Sequence, residues 1–251
     1  ATVSAVVPRI EVNPDGKGLK LLVFEGSDHH RNYVDRGKIL GDLYFNYLAD
    51  NKAYSVNLSD LQPEILENTA GKIQLFWQFP AGVRLYQTFT VSGEEIEWDI
   101  EFFNRSRHTV NIMDMCLTVP IGAIDESVQA CQNLNRHFSL NGSSSFLYWI
   151  PYTGQGDILL MSMKKGTAME YATWDGKYYL HATNVVDRAN DTWRIPSTSK
   201  TVAPYQRYLT GFNFTVAKDY TDLRGKLYDK GNVLVKVAPG MIVTPEMEVY
   251  C

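Results

Sequence analysis

The sequence predicts an all-β protein, built as a large antiparallel sandwich with one or two short helices. Three observations carry this. Apolar and acidic residues alternate strictly through "TFTVSGEEIEWDIEFF" (88–103), as a half-buried strand requires. Two-residue turn signals at Ser92-Gly93 and Asp175-Gly176 sit between such runs. Fifteen Tyr and five Trp enrich the chain in residues that favour strands.

Taken in order, "DLQPEILEN" (60–68) reads as a short helix. Next comes a hairpin centred on Ser92-Gly93. Ile96, Trp98, Ile100 and Phe102 form its apolar side, with Phe89 facing Ile96 and Leu85 facing Ile100. On the wet side Arg84 faces Glu101. "FLYWIPY" (146–152) is apolar on both faces, which suits a strand covered on two sides. Residues 157–185 read as a three-stranded meander. Its last turn, Asp175-Gly176, pairs Thr173 with Tyr178, Tyr171 with Leu180 and Glu170 with His181. "DYTDLRGKLYDKGN" (219–232) is the best helix: Leu223, Leu227 and Tyr228 recur at helical spacing, acids lie early, and Gly231 closes it.

A chain of 251 residues without internal repeat, low-complexity tract or linker reads as one domain, 1–251. The composition, 45% apolar and 21% charged, is that of a globular protein. A net charge of −4 argues against a nucleic-acid partner. No apolar run approaches the roughly 20 residues that span a bilayer. The sequence opens without Met and ends on the strand-like "EMEVYC" with no polar tail, so we expect a processed piece of a longer polypeptide. Asn-x-Ser/Thr sequons at Asn57, Asn104, Asn141, Asn190 and Asn213 outnumber chance and point to a secreted or periplasmic protein. The three cysteines fit neither a zinc nor a C-x-x-C pattern. Either Cys116 bridges Cys131, leaving Cys251 over, or they are buried free thiols.

Three segments, "NYVDRGKILGDLYFNY" (32–47), "FLYWIPYTGQGDILLMSMKKGTAMEY" (146–171) and "LRGKLYDKGNVLVKVAPGMIVTP" (223–245), resemble the N-terminal region of large microbial six-hairpin glycosidase-like proteins. In that family a galactose-mutarotase-like β-supersandwich precedes a helical (α/α)6 barrel that usually holds the catalytic carboxylates. The resemblance implies a β-supersandwich that shapes or supports a carbohydrate site, with carbohydrate and a downstream helical catalytic domain as partners. None of the three segments is a catalytic signature, so no family catalytic residue transfers to this chain.

The residues themselves offer other chemistry. Glu170 beside His181 would make a general-base unit for an aldose-epimerase-like enzyme, against the plainer reading of a cross-strand ion pair. "GSDHHRNY" (26–33) gathers Asp28, His29, His30 and Arg31, polar contacts for a ligand or simply a solvated loop. A carbohydrate-binding module would expose Tyr148, Trp149, Trp174 or Trp193 as a platform. Alternation assigns Phe146, Tyr148 and Ile150 to the core and leaves Trp149 and Tyr152 as sugar contacts. No metal site and no cofactor are expected. Glu97, Asp99 and Glu101 could take calcium, but such a row is usually the wet side of a sheet.

Overall fold

The computed structural model describes residues 6–27, 31–124, 133–173, 175–183 and 197–234. Sixteen strands and one α-helix follow one another along them. The strands are β1 (Val7–Val12), β2 (Leu19–Glu25), β3 (Leu43–Ala49), β4 (Lys52–Asn57), β5 (Glu64–Asn68), β6 (Lys72–Gln78), β7 (Val83–Ser92) and β8 (Glu95–Asn104). They continue with β9 (Val110–Thr118), β10 (Leu134–Ser139), β11 (Phe146–Pro151), β12 (Ile158–Met163), β13 (Tyr171–Ala172), β14 (Lys177–His181), β15 (Lys200–Val202) and β16 (Arg207–Ala217); the helix α1 is Tyr220–Asp229.

Eight strands form the larger sheet in the order β10-β11-β12-β16-β8-β7-β6-β5. The second sheet runs β13-β14-β9-β3-β4, with β15 also on β9, and the β1–β2 hairpin stands apart. All these strand pairings are antiparallel. The inner faces of both sheets share one apolar core, into which β8 sends Ile96, Trp98, Ile100 and Phe102 and β3 sends Phe45 and Tyr47. Phe45 meets Phe102 edge-on at 4.9 Å. Each fully buried side chain of this size is worth about 1.5–3 kcal/mol. A buried amide crosses this core: Gln87 donates to the Gly41 carbonyl at 2.8 Å and accepts the Trp98 indole N–H at 2.9 Å. It ties the loop before β3 to the larger sheet, and its donor and acceptor are both satisfied, as burial demands.

The outer face of the larger sheet carries a smaller core. Leu223 and Leu227 of α1 pack on Phe146, Tyr148, Ile158, Leu160 and Ala217. α1 starts where Asp219 accepts the Asp222 N–H at 2.9 Å, and Gly231 follows its end with φ 77°. The expected helix over 219–232 is therefore present, slightly shortened. β11 is covered on both faces as its composition predicted: Leu147 and Trp149 join the central core, Phe146 and Tyr148 the outer one.

Four expectations need correction. Residues 60–68 form no α-helix; a short 3-10 turn (Leu58–Asp60) precedes β5, which pairs with β6. The β7–β8 loop is Gly93-Glu94, so Phe89 faces Trp98, Gln87 faces Ile100 and Leu85 faces Phe102. A slip of two keeps every side chain on its face, because the strand period is two. Arg84 is opposite Phe103 rather than Glu101, which instead pairs with Arg207. The meander is broken: β12 lies in the larger sheet while β13 and β14 lie in the second. Finally, the turn between β13 and β14 is closed by the Thr173 N–H on the Lys177 carbonyl at 2.9 Å, with Gly176 at φ 82°. Tyr171 thus faces Tyr179, and this slip of one changes which residues share a face.

The acidic row on β8 is held by cations. Lys230 reaches Glu95 at 2.8 Å, and Lys164 reaches Glu97 at 2.6 Å and Asp99 at 2.7 Å. The hydrogen bond from Lys164 holds the Glu97 carboxyl below its ordinary range. Among the described residues no three His, Cys, Asp or Glu side chains converge as metal ligands, and no helix is long and apolar enough to cross a membrane.

Candidate functional site

At one end of the sandwich the β1–β2 turn, the loop entering β3, the segment leaving β9 and the β13–β14 turn surround a cleft of about 910 Å³. Its side chains come from loops and strand ends: Asp15, Lys17, Asp35, Lys38, Asp42, Arg136 and Tyr152 among them. Loops on a rigid sheet scaffold are where binding groups gather.

Asp35 pins the wall. Its Oδ1 accepts the Gly122 N–H at 3.0 Å and the Ala123 N–H at 3.1 Å, while its own N–H donates to the Pro120 carbonyl at 2.9 Å. Partial burial nevertheless raises its pKa, against the pull of those N–H groups, Lys38 and Arg136. Asp42 is raised for the same reason, opposed by the Ser59 and Leu43 N–H groups and Lys17. Its Oδ1 is buried without a hydrogen-bond partner. The Lys17 ammonium is held on the Ser59 carbonyl at 2.6 Å. Two carboxyls whose charge is penalised by burial, in one open cleft, mark a functional-site candidate.

The wall is backed by Trp149. The indole is fully buried and donates to the Ile121 carbonyl at 2.9 Å. Gly122 approaches it so closely that a Cβ there would lie 3.0 Å from the ring, and its φ of 91° excludes most other residues. Trp149 is therefore a structural support, and the expectation of a sugar-stacking ring is corrected: both its faces are inside the core. Tyr148 is buried too, covered by the His137 ring lying 8° from parallel at 4.8 Å.

Among the described sugar-contact candidates, Tyr152 meets the cleft; it is 46% exposed and lines the opening. Arg31 lies near Tyr33, where its charge is felt, and its Nε is buried without a partner. Asp28, His29, His30, Trp174 and Trp193 lie outside the described residues, as do Cys131 and Cys251; Cys116 is a buried free thiol on β9.

Glu170 and His181 do not form the expected pair. The observed register sets Tyr171 opposite Tyr179, and the imidazole turns instead to Tyr208, its Nε2 lying 2.8 Å from the Tyr208 hydroxyl. Burial, with the Lys200 charge added, lowers the His181 pKa to about 4. Neutral at pH 7 and without a carboxylate, it lacks the partner a general base needs.

No protein-family model matches the sequence, and no curated protein does. Solved structures match the fold. A polysaccharide lyase superposes with a TM-score of 0.71 at 15% identity, over 93% of this chain and 35% of the lyase. A galactose mutarotase related enzyme from Lactobacillus acidophilus gives 0.51 at 9% identity, over 88% of this chain and 98% of that one. The fold is a galactose-mutarotase-like β-sandwich. A Synechocystis protein superposes with a TM-score of 0.50 at 10% identity, over 85% of this chain and 93% of that one. The chain thus spans about a third of the lyase but nearly the whole of the two smaller proteins. Of the cleft residues, sequence reasoning singled out Tyr152 alone as a ligand contact, with Asp175 and Gly176 read only as a turn. Asp35, Lys38 and Asp42 do sit inside "NYVDRGKILGDLYFNY", one of the segments that carry the family resemblance.

Proposed function

We propose that this chain is the β-sandwich domain of a larger carbohydrate-active enzyme and that its end cleft contacts the saccharide, without a complete catalytic set of its own. The observation that carries this is the cleft: an exposed tyrosine ring for a sugar face, beside carboxyls and cations suited to ring hydroxyls. The likeness to a third of a polysaccharide lyase supports the carbohydrate class and a catalytic domain elsewhere in the polypeptide. The setting that fits is secreted or periplasmic, where extracellular polysaccharide is met.

Calorimetric titration with a panel of oligosaccharides, in buffer containing EDTA, tests the reading. Tyr152→Ala is expected to weaken binding by about tenfold, roughly 1.4 kcal/mol, while leaving the melting temperature unchanged because the ring is half exposed. Failure of every oligosaccharide to bind would overturn it.

A free-standing aldose-epimerase activity would need Glu170 and His181 to converge, and the His181–Tyr208 contact weighs against that. NMR of anomer exchange in simple aldoses is expected to show no acceleration by the purified protein. Acceleration abolished in Glu170→Gln would reverse this preference.

A further inference from the structure

We propose that the β10 side of the cleft is a receptor for the carboxylate of an anionic sugar, a uronic acid unit, held by Arg136 and Lys38 beside the Tyr152 ring. This rests on the cleft being the saccharide site and goes on to name the sugar class.

Charge balance at the two ends of the cleft is the starting point. Most of its acidic side chains are already engaged. Asp175 pairs with Lys177 at 2.9 Å, and Asp15 accepts the Asn13 amide at 2.6 Å and the Lys17 N–H at 3.0 Å. Asp42 stands with Lys17 on the far wall. Arg136 and Lys38, by contrast, have no ion-pair partner among the described residues. Both lie near enough to Asp35 for their charges to be felt there. Asp35 turns Oδ1 away to the Gly122 and Ala123 N–H groups. Two cations around one carboxylate leave a local surplus of one positive charge at the rim.

Arg136 is also held in place. Its guanidinium lies 5.7 Å above the centroid of the Tyr178 ring, which is itself buried in the core. Its strand is paired along its length with β11, Arg136 opposite Trp149. Gly176 leaves room beside it: a Cβ there would already touch Nη1 at 3.6 Å. A guanidinium fixed by stacking, its N–H fork unclaimed among the described residues, matches the planar geometry of a carboxylate, which an ammonium alone does not. Tyr152, exposed on the same cleft, supplies the apolar surface for the ring that carries that carboxylate.

The test compares matched trisaccharides by calorimetry: uronate trimers of galacturonic, glucuronic and mannuronic acid against the neutral trimers of galactose, glucose and mannose. At least one uronate is expected to bind about tenfold or more tighter than its neutral counterpart. That preference should shrink with added salt, as an exposed ionic contact must. Arg136→Gln, at an exposed position, is expected to abolish the preference by weakening uronate binding more than neutral binding, and Lys38→Gln to reduce it. Equal binding of uronate and neutral sugar would overturn the inference and leave the carbohydrate reading standing. A preference that survives both substitutions would overturn the assignment to these residues. If no trimer binds, both fall.

Discussion

Replacing Trp149 with alanine is expected to destabilise the folded chain by about 3–5 kcal/mol, measured as the shift in urea unfolding. The indole is fully buried, so the substitution removes its contacts and leaves a cavity behind the cleft wall. The Ile121 carbonyl loses its N–H partner as well, an added cost when an acceptor stays buried. Trp149→Phe keeps much of the volume and loses only that hydrogen bond, so it is expected to cost about 1–2 kcal/mol. The pair of substitutions separates support from platform. An exposed platform would lose ligand binding with almost no change in stability, and a destabilisation below about 1 kcal/mol for the alanine variant would sink the structural assignment. Because Ile121 and Gly122 line the cleft and meet this ring, weaker saccharide binding should accompany lost stability, never precede it.

Trp149 also shows how far the sequence can be read. Alternation assigned "FLYWIP" two covered faces because that signal is local: each residue's face follows from the pleat alone. Alternation does not say whether an apolar face meets another sheet or a ligand, and for Trp149 that depended on Gly122, 27 positions earlier in the chain. Register failed in a graded way. The β7–β8 slip of two left faces intact, so the inner and outer residues of β8 stand as expected. The β13–β14 slip of one, set by the Thr173 N–H closing on the Lys177 carbonyl, separated Glu170 from His181, which removed a catalytic hypothesis. Sheet membership was less legible still. β12 and β13 look like neighbours in the chain, yet buried faces on both sides of β12 require a central place in the larger sheet.

The cleft was hardest to see because no short motif encodes it. Asp35 and Arg136 are 101 positions apart and meet where strands from both sheets end. Each alone looks like an ordinary loop or edge-strand charge. What distinguishes them is burial for Asp35 and, among the described residues, the lack of an ion-pair partner for Arg136, and both depend on tertiary packing. The clue within reach was indirect: a segment notable for its resemblance contained two aspartates and a lysine in its turn-rich half, ahead of the β3 strand.

Acid is expected to weaken this protein well above the carboxylate range, and His181 is the reason. Its folded pKa is about 4 against an ordinary value of 6.5, because burial disfavours the imidazolium and Lys200 repels it. The unfolded chain therefore takes up a proton as pH falls through 6.5, while the folded chain resists until about 4. Protons bind the unfolded state more strongly throughout that window, so stability falls as pH drops from 6.5 to 4 and is flat above it. The full loss is about 3 kcal/mol. Asp35 and Asp42 act in the opposite sense. Their folded pKa values lie above 3.8, so protonation favours the folded chain and offsets part of the loss at the acidic end. Comparing His181→Gln with the parent chain at each pH cancels those carboxyl contributions. The difference in unfolding free energy between the two proteins is expected to change by about 3 kcal/mol between pH 7 and pH 4. Glutamine can keep a hydrogen bond to the Tyr208 hydroxyl, which limits the packing change. A difference that stays constant across the window would mean that His181 accepts its proton freely in the folded chain, and the buried imidazole–tyrosine contact would have to be abandoned.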